Sequence, residues 1–203
     1  MDGASAYTLR AMERADAARN RARILAAAGE LFAAKGAPNV TMEDIARAAG
    51  VGRGTLYRRY PDRAAIATAM LDEHEKALQR ELIEGDAPLG PGAPPAERLA
   101  AFYSAMVGLL ESHSHLVLGA ETGRSRFGTG AYGFWRVHVR SLLVAAGAPD
   151  PDALVEVVLA PLAPEVYAHQ RTGRNLSPER IAAALGELAL RLLPGPSPAP
   201  GDA

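Results

Sequence analysis

Arg53, Thr55 and Arg58 crowd into the run Gly52-Arg53-Gly54-Thr55-Leu56-Tyr57-Arg58-Arg59-Tyr60. On a short helix these side chains suit base edges in a DNA major groove. Arginine donates a bidentate pair to guanine O6 and N7, and the threonine methyl meets a thymine methyl; each good bidentate pair discriminates by ~1–3 kcal/mol. Gly52 and Gly54 let the backbone approach closely. The other reactive side chains make weaker sets. Glu121 and His138 could pair as acid and base, but no nucleophile, phosphate loop or metal is placed beside them. His113-x-His115 has the look of a metal pair, yet on one helix that spacing sends the rings to different faces, and no third ligand is fixed. With no cysteine in the chain, thiolate metal sites, disulfides and cysteine nucleophiles are excluded. The expectation is recognition without catalysis, with no resident metal or cofactor.

Short helices need neighbours to hold them. Apolar residues Ile24, Ala28, Leu31 and Phe32 fall on one face of a first helix, Arg19 to Lys35, which Gly36 can end. After Ala37-Pro38-Asn39, Thr41 opens a second helix: its hydroxyl can cap, Asp44 can close a capping box, and Val40 with Ile45 can form the hydrophobic staple. That helix runs to Ala49. Gly50-Val51-Gly52 follows, then a third helix, Arg53 to Tyr60, stopped by Pro61. Ala46 as the small crossing residue, Gly50 in the turn, and Ile45, Ala49, Val51 and Leu56 as apolar contacts complete the logic of a helix-turn-helix. Asp62 can cap a fourth helix reaching about Glu84.

Gly85 to Pro95 reads as a linker or exposed loop. Beyond it, helices are expected over Ala96–Ser112, Ser114–Thr122, Ala131–Ala146, Pro151–Arg171 (kinked at Pro161 and Pro164) and Pro178–Leu193. Strand alternation is absent from the sequence, so the fold class is all-α. The domains expected are a helix-turn-helix head over 19–62, a connecting helix over about 62–84, and a C-terminal ligand-binding and dimerisation domain over 85–193. Flexible tails are expected at 1–18 and 194–203.

Charge supports the division. From Arg10 to Ala64 there are eleven Arg and Lys against six Asp and Glu, a local +5, which leaves the rest at −6 within a total of −1. A basic segment in a near-neutral chain points one face at a polyanion. The 48 % apolar and 22 % charged composition is that of a soluble globular protein, no apolar run nears bilayer length, and the N-terminus lacks secretory-signal features. A cytoplasmic location with no membrane partner is expected.

The run from Val40-Thr41-Met42-Glu43-Asp44-Ile45-Ala46 through Ala49-Gly50-Val51-Gly52-Arg53-Gly54-Thr55-Leu56-Tyr57-Arg58-Arg59-Tyr60-Pro61-Asp62-Arg63 resembles the N-terminal signature of the tetracycline-repressor (TetR) family. The upstream run Ile24 to Gly36 resembles that family's first helix, so the likeness covers about residues 19 to 71. It implies a transcription regulator: a three-helix DNA-binding head, a fourth helix joining it to the rest, and a homodimer formed by the two C-terminal helices of each subunit. It also implies phosphate contacts at Thr41, Tyr57, Tyr60 and Arg63, although the ring of Tyr60 could equally pack beneath the helix pair. Two departures bear on readout. Gly52 stands where the family often has Ser or Thr, and Arg58-Arg59-Tyr60 where it often has His or Asn with Phe, which shifts phosphate anchoring towards arginine. Arg10 and Arg14 read as a solvated helix face, while Arg21 and Arg23 admit either that or backbone contact.

Aromatic, Met and His residues cluster from Phe102 to His138, and Met106, Leu110, Trp135 and His138 are the expected lining of a small-molecule pocket, paired at i,i+4 and i,i+3. Leu154, Val157, Val158, Leu162 and Val166, with Ile181, Leu185, Leu188 and Leu192, make stripes suited to a contact across a two-fold axis. The combined expectation is a homodimeric repressor that leaves an inverted-repeat operator when a small-molecule effector binds. A ligand-independent or activating regulator shares every head residue, and a helical enzyme or interaction protein without DNA binding is the more distant alternative.

Overall fold

In the computed structural model the backbone is described for residues 3–120 and 130–193, and side chains for 12, 14–113 and 130–193. The tail at 194–203, Glu121, Phe127 and the side chains of Arg10 and His115 lie outside the described residues. Every element is helical: α1 (Gly3–Lys35), a 3-10 turn (Ala37–Asn39), α2 (Met42–Ala49), α3 (Arg53–Arg59), α4 (Arg63–Glu84), α5 (Pro95–Ala120), α6 (Gly130–Ala145) and α7 (Pro151–Leu159). Then come a second 3-10 turn (Ala160–Leu162), α8 (Pro164–Ala168), a π turn (His169–Gly173) and α9 (Pro178–Leu192). Among the described residues there is no strand, and no helix is long and apolar enough to cross a membrane. The all-α class holds. Two compact units divide the chain, residues 1–72 and 73–203.

Local chemistry sets the short elements of the first unit. Thr41 caps α2 by accepting from Asp44 N (3.1 Å), while the Asp44 carboxylate accepts from Thr41 N (3.1 Å) and from its hydroxyl (2.7 Å). These bonds hold the Asp44 carboxyl below the usual carboxylate range. The staple residues Val40 and Ile45 are both fully buried. Gly50 ends α2 in the left-handed region, φ 61°, a backbone that favours glycine, and a Cβ there would stand 2.5 Å from Arg23 Nη2 and displace that guanidinium. Asp62 Oδ1 caps α4 through Ala65 N (2.8 Å). The core beneath is Ile24, Ala28, Phe32, Val40, Ile45, Leu56 and Ile66. Each large side chain among them contributes ~1.5–3 kcal/mol by leaving water.

Three element boundaries differ from expectation. The first helix begins at Gly3, well before Arg19, because the stretch between is rich in Ala and holds no glycine or proline after Gly3. Helix α5 runs unbroken to Ala120; the expected stop at Ser112 fails because its hydroxyl bonds back to Gly108 O (2.9 Å) inside the helix. Conversely, the single kinked helix expected over 151–171 is cut into pieces. Pro164 forces Ala163 to extended geometry (ψ 131°), and the helix cannot pass through it.

In the second unit α9 lies along α5, close enough that a Cβ on Gly186 would meet Ala100 Cβ at 3.8 Å. Ile181 and Leu185 are buried there, so they serve their own subunit, while Leu188 remains 46 % exposed. The stripe on α7 and α8 splits the same way: Val158 and Leu162 are buried, Val157 and Val166 exposed. Tyr103 is buried and donates to Val158 O (2.8 Å), and Arg171 pairs with Glu111 (2.8 Å), joining α5 to the segments after Pro151. Arg136 with Glu156 and Arg140 with Asp152 link α6 to α7.

Candidate nucleic-acid interface

Helix α3 buries Leu56 and turns its remaining surface outward. Arg53, Gly54, Tyr57, Arg58 and Arg59 are exposed and Thr55 is half-buried. Arg58 Nη2 reaches Thr55 Oγ1 at 3.4 Å, while Arg53, at the start of the helix, stands 3.6 Å from Glu43 of α2 and remains accessible. Gly52 is the N-cap and makes no side-chain cap bond. Neither Gly52 nor Gly54 has positive φ, and a Cβ on Gly54 would meet nothing within 4 Å. Glycine inside a helix costs ~1 kcal/mol against alanine. Packing within the described residues does not require glycine at Gly54.

An open groove of about 520 Å³ beside α3 is lined by Thr41, Tyr57 and Arg63, together with Pro38, Asn39, Val40, Met42, Pro61 and Asp62. Three of the four expected phosphate contacts therefore share one concavity. Tyr60 is not among them. It is 4 % exposed, and its hydroxyl accepts from Arg21 Nη1 (3.0 Å), so in this structure the ring packs beneath the helix pair. Arg63 has a second role: one guanidinium nitrogen donates to the carbonyls of Ala37 (2.9 Å), Pro38 (2.7 Å) and Val40 (2.8 Å), clamping the turn before α2. The Thr41 hydroxyl is likewise engaged with Asp44.

Sequence reasoning missed how much the arginines brace the head. Arg21 also reaches Ala69 O (3.5 Å), Arg23 Nη2 donates to Gly50 O (3.0 Å) at the turn, and Arg59 Nη1 donates to Ala17 O (3.0 Å). Arg21 and Arg23, which the sequence leaves open between a solvated face and a DNA-backbone contact, bond within the head. The only sequence signal for it was their proximity to the basic stretch.

In the second unit the four expected pocket residues are all buried: Met106 and Leu110 on α5, Trp135 and His138 on α6. Phe102 bridges the helices, its ring centroid 5.9 Å from Trp135 and 5.5 Å from His138. Burial and the positive charge of Arg98 push the His138 imidazole down to about 4. His113 turns away from this group and meets His74, Nδ1 of His74 standing 2.5 Å from Nε2 of His113. No set of three metal-ligating side chains occurs among the described residues.

Against this geometry the likenesses fall into place. Residues 24–70 match the family described as bacterial regulatory proteins, tetR family. An uncharacterized HTH-type transcriptional regulator of Mycobacterium bovis is 44 % identical over 72 residues, 35 % of this chain and 38 % of that protein. The match thus spans about two-fifths of that relative's length. A TetR transcriptional regulator from Rhodococcus sp. RHA1 aligns over 90 % of this chain and 99 % of its own, with 25 % identity and a TM-score of 0.56. A putative transcriptional regulator from Saccharomonospora viridis, solved in complex with choline, has a TM-score of 0.63 at 21 % identity, covering 83 % and 94 %. The head matched by sequence and the helical architecture matched over most of the chain agree: residues 24–70 match the tetR-family head, and the chain is similar in fold to TetR regulators over most of its length.

Proposed function

We propose that this protein is a cytoplasmic, homodimeric repressor that binds an inverted-repeat operator through α3 and leaves it when a small molecule enters the second unit. The observation that carries the DNA-binding part is the outward face of α3, which presents Arg53, Thr55 and Arg58 beside a groove holding Thr41, Tyr57 and Arg63. Base contacts specify the sequence; the groove residues position the backbone. Thr41, Tyr57 and Arg63 meet phosphate, and Gly52 and Gly54 allow close approach. Tyr60 acts from beneath, holding α3 through Arg21.

Dimerisation rests on apolar side chains that one subunit leaves uncovered: Val157 at 66 %, Val166 at 38 % and Leu188 at 46 % exposure. The sensing part rests on the buried aromatic group of Phe102, Trp135 and His138 with Met106 and Leu110, and a similar fold carries choline in the Saccharomonospora viridis regulator. Release requires that the ligand favour the conformation that binds DNA poorly; equal affinity for both shifts nothing.

Selection of bound sequences from random duplex DNA by the purified protein tests this reading. The expected product is a two-fold symmetric site whose half-sites lie one helical turn or more apart. Failure to enrich any sequence would overturn it, and enrichment of a single half-site would overturn the dimer.

A further inference from the structure

Buried polar atoms in native folds nearly always have partners, and each exception calls for an explanation. Two exceptions in the second unit stand together. Arg98 Nε and His138 Nε2 are both shielded from solvent, and neither has a hydrogen-bond partner. They are close enough for the guanidinium charge to act on the imidazole. On α5, Phe102 lies one helical turn beyond Arg98, and its ring meets both His138 and Trp135.

Arg98 is half-buried, and its one hydrogen bond to the chain through the side chain is from Nη2 to Leu82 O (3.1 Å). Among the described residues no carboxylate stands within ion-pair distance of it. A partly buried guanidinium without a counter-charge is unfavourable. A neighbouring imidazole kept neutral avoids a second positive charge but leaves the first one uncompensated. A buried water would satisfy the two nitrogens and still supply no charge. An anion supplies both.

We propose that Arg98 and His138 hold the carboxylate of a small organic acid, Arg98 Nε–H and His138 Nε2–H donating to its oxygens while Phe102 and Trp135 cover its apolar body. The proposal rests on the reading that this unit binds a small molecule, and it names the class: monocarboxylates with an aromatic or short aliphatic body. A bound carboxylate also offsets the Arg98 charge, so His138 holds its proton more readily in the complex than in the free protein.

The test uses the full chain and two matched pairs, benzoate with benzamide and octanoate with octanamide, measured by calorimetry. The expected result is at least tenfold tighter binding of one carboxylate than of its amide. Arg98→Met should remove most of that preference, weakening the carboxylate by a much larger factor than the amide. Because Arg98→Met also loses the bond to Leu82, Arg98→Lys serves as a second variant, keeping the charge but lacking Nε–H, and should retain part of the preference. Histidine NMR of the wild-type chain should show the His138 ring nitrogens shifting on addition of the carboxylate and its titration moving upward. Equal affinity for acid and amide, or no binding of either acid, overturns the carboxylate assignment. The broader reading fails separately, if no small molecule that binds the protein alters its operator affinity.

Discussion

The two units differ in where their polar side chains find partners. In residues 1–72, arginines reach across the fold to close it: Arg21 on Tyr60, Arg23 on the turn at Gly50, Arg59 on α1 and Arg63 on the loop before α2. In residues 73–203, by contrast, Arg98 Nε, His138 Nε2 and Gln170 Oε1 are buried without partners among the described residues. Leaving such a group unsatisfied costs ~1–3 kcal/mol. The first unit is complete in itself and keeps its reading surface outside; the second holds unused hydrogen-bonding capacity inside. That contrast suits the proposed division of labour, a braced reader and a second unit with polar groups left to meet a ligand.

The largest expected effect breaks the reading face without disturbing its support. Arg53→Ala combined with Arg58→Ala should lower affinity for the selected site by ~2–6 kcal/mol, at ~1–3 for each bidentate contact, while leaving thermal stability nearly unchanged. Competition against scrambled duplex measures it. Retained discrimination would move base reading away from these two side chains.

Next in size is the support itself. Gly50→Ala forces a side chain into left-handed backbone and onto Arg23, and should destabilise the first unit by ~1–3 kcal/mol, read by denaturant unfolding. An unchanged midpoint would mean that the turn is not held as described.

Gly54→Ala sharpens the contrast between stability and function. With open space around its Cβ, the substitution should stabilise α3 by up to ~1 kcal/mol yet weaken operator binding several-fold. Stabilisation with undiminished binding would show that no close approach occurs there.

Near neutral pH the smallest effect belongs to the second unit, and it grows only on acidification. His138 is held neutral in the fold, its imidazole pushed down to about 4, while in the unfolded chain it takes a proton near 6.5. Between those values the unfolded state binds more protons, so stability should decline as pH falls from about 6.5 towards 4, by at most ~1.4 kcal/mol per pH unit. His138→Phe should flatten that part of the melting profile, and an unaltered profile would contradict the neutral imidazole.

What was legible in the sequence was local. The capping box of Thr41 and Asp44, the turn glycine at 50 and the stop at Pro61 act within a few residues of themselves, and each stands as read. What was not legible depends on residues that meet across the fold. Tyr60 reads as a phosphate contact until Arg21, 39 positions away, is seen on its hydroxyl. Arg63 reads as a surface cation until the three carbonyls beside it are placed. Arg98 carries no motif and stands out only when α6 brings His138 to it. Competing local effects explain the boundary errors: Ser112 can break a helix or bond back into one, and Pro164 can bend a helix or end it.

The central claim is sequence-specific DNA binding through α3, and a salt titration of two duplexes tests it most directly. The affinity of the full chain for its selected inverted repeat and for a scrambled duplex of equal length is measured as salt rises. The account predicts that both affinities fall steeply through loss of phosphate contacts, while the selected site stays ~10³-fold or more tighter at physiological salt. Equal affinity for the two duplexes, or binding indifferent to salt, would contradict it.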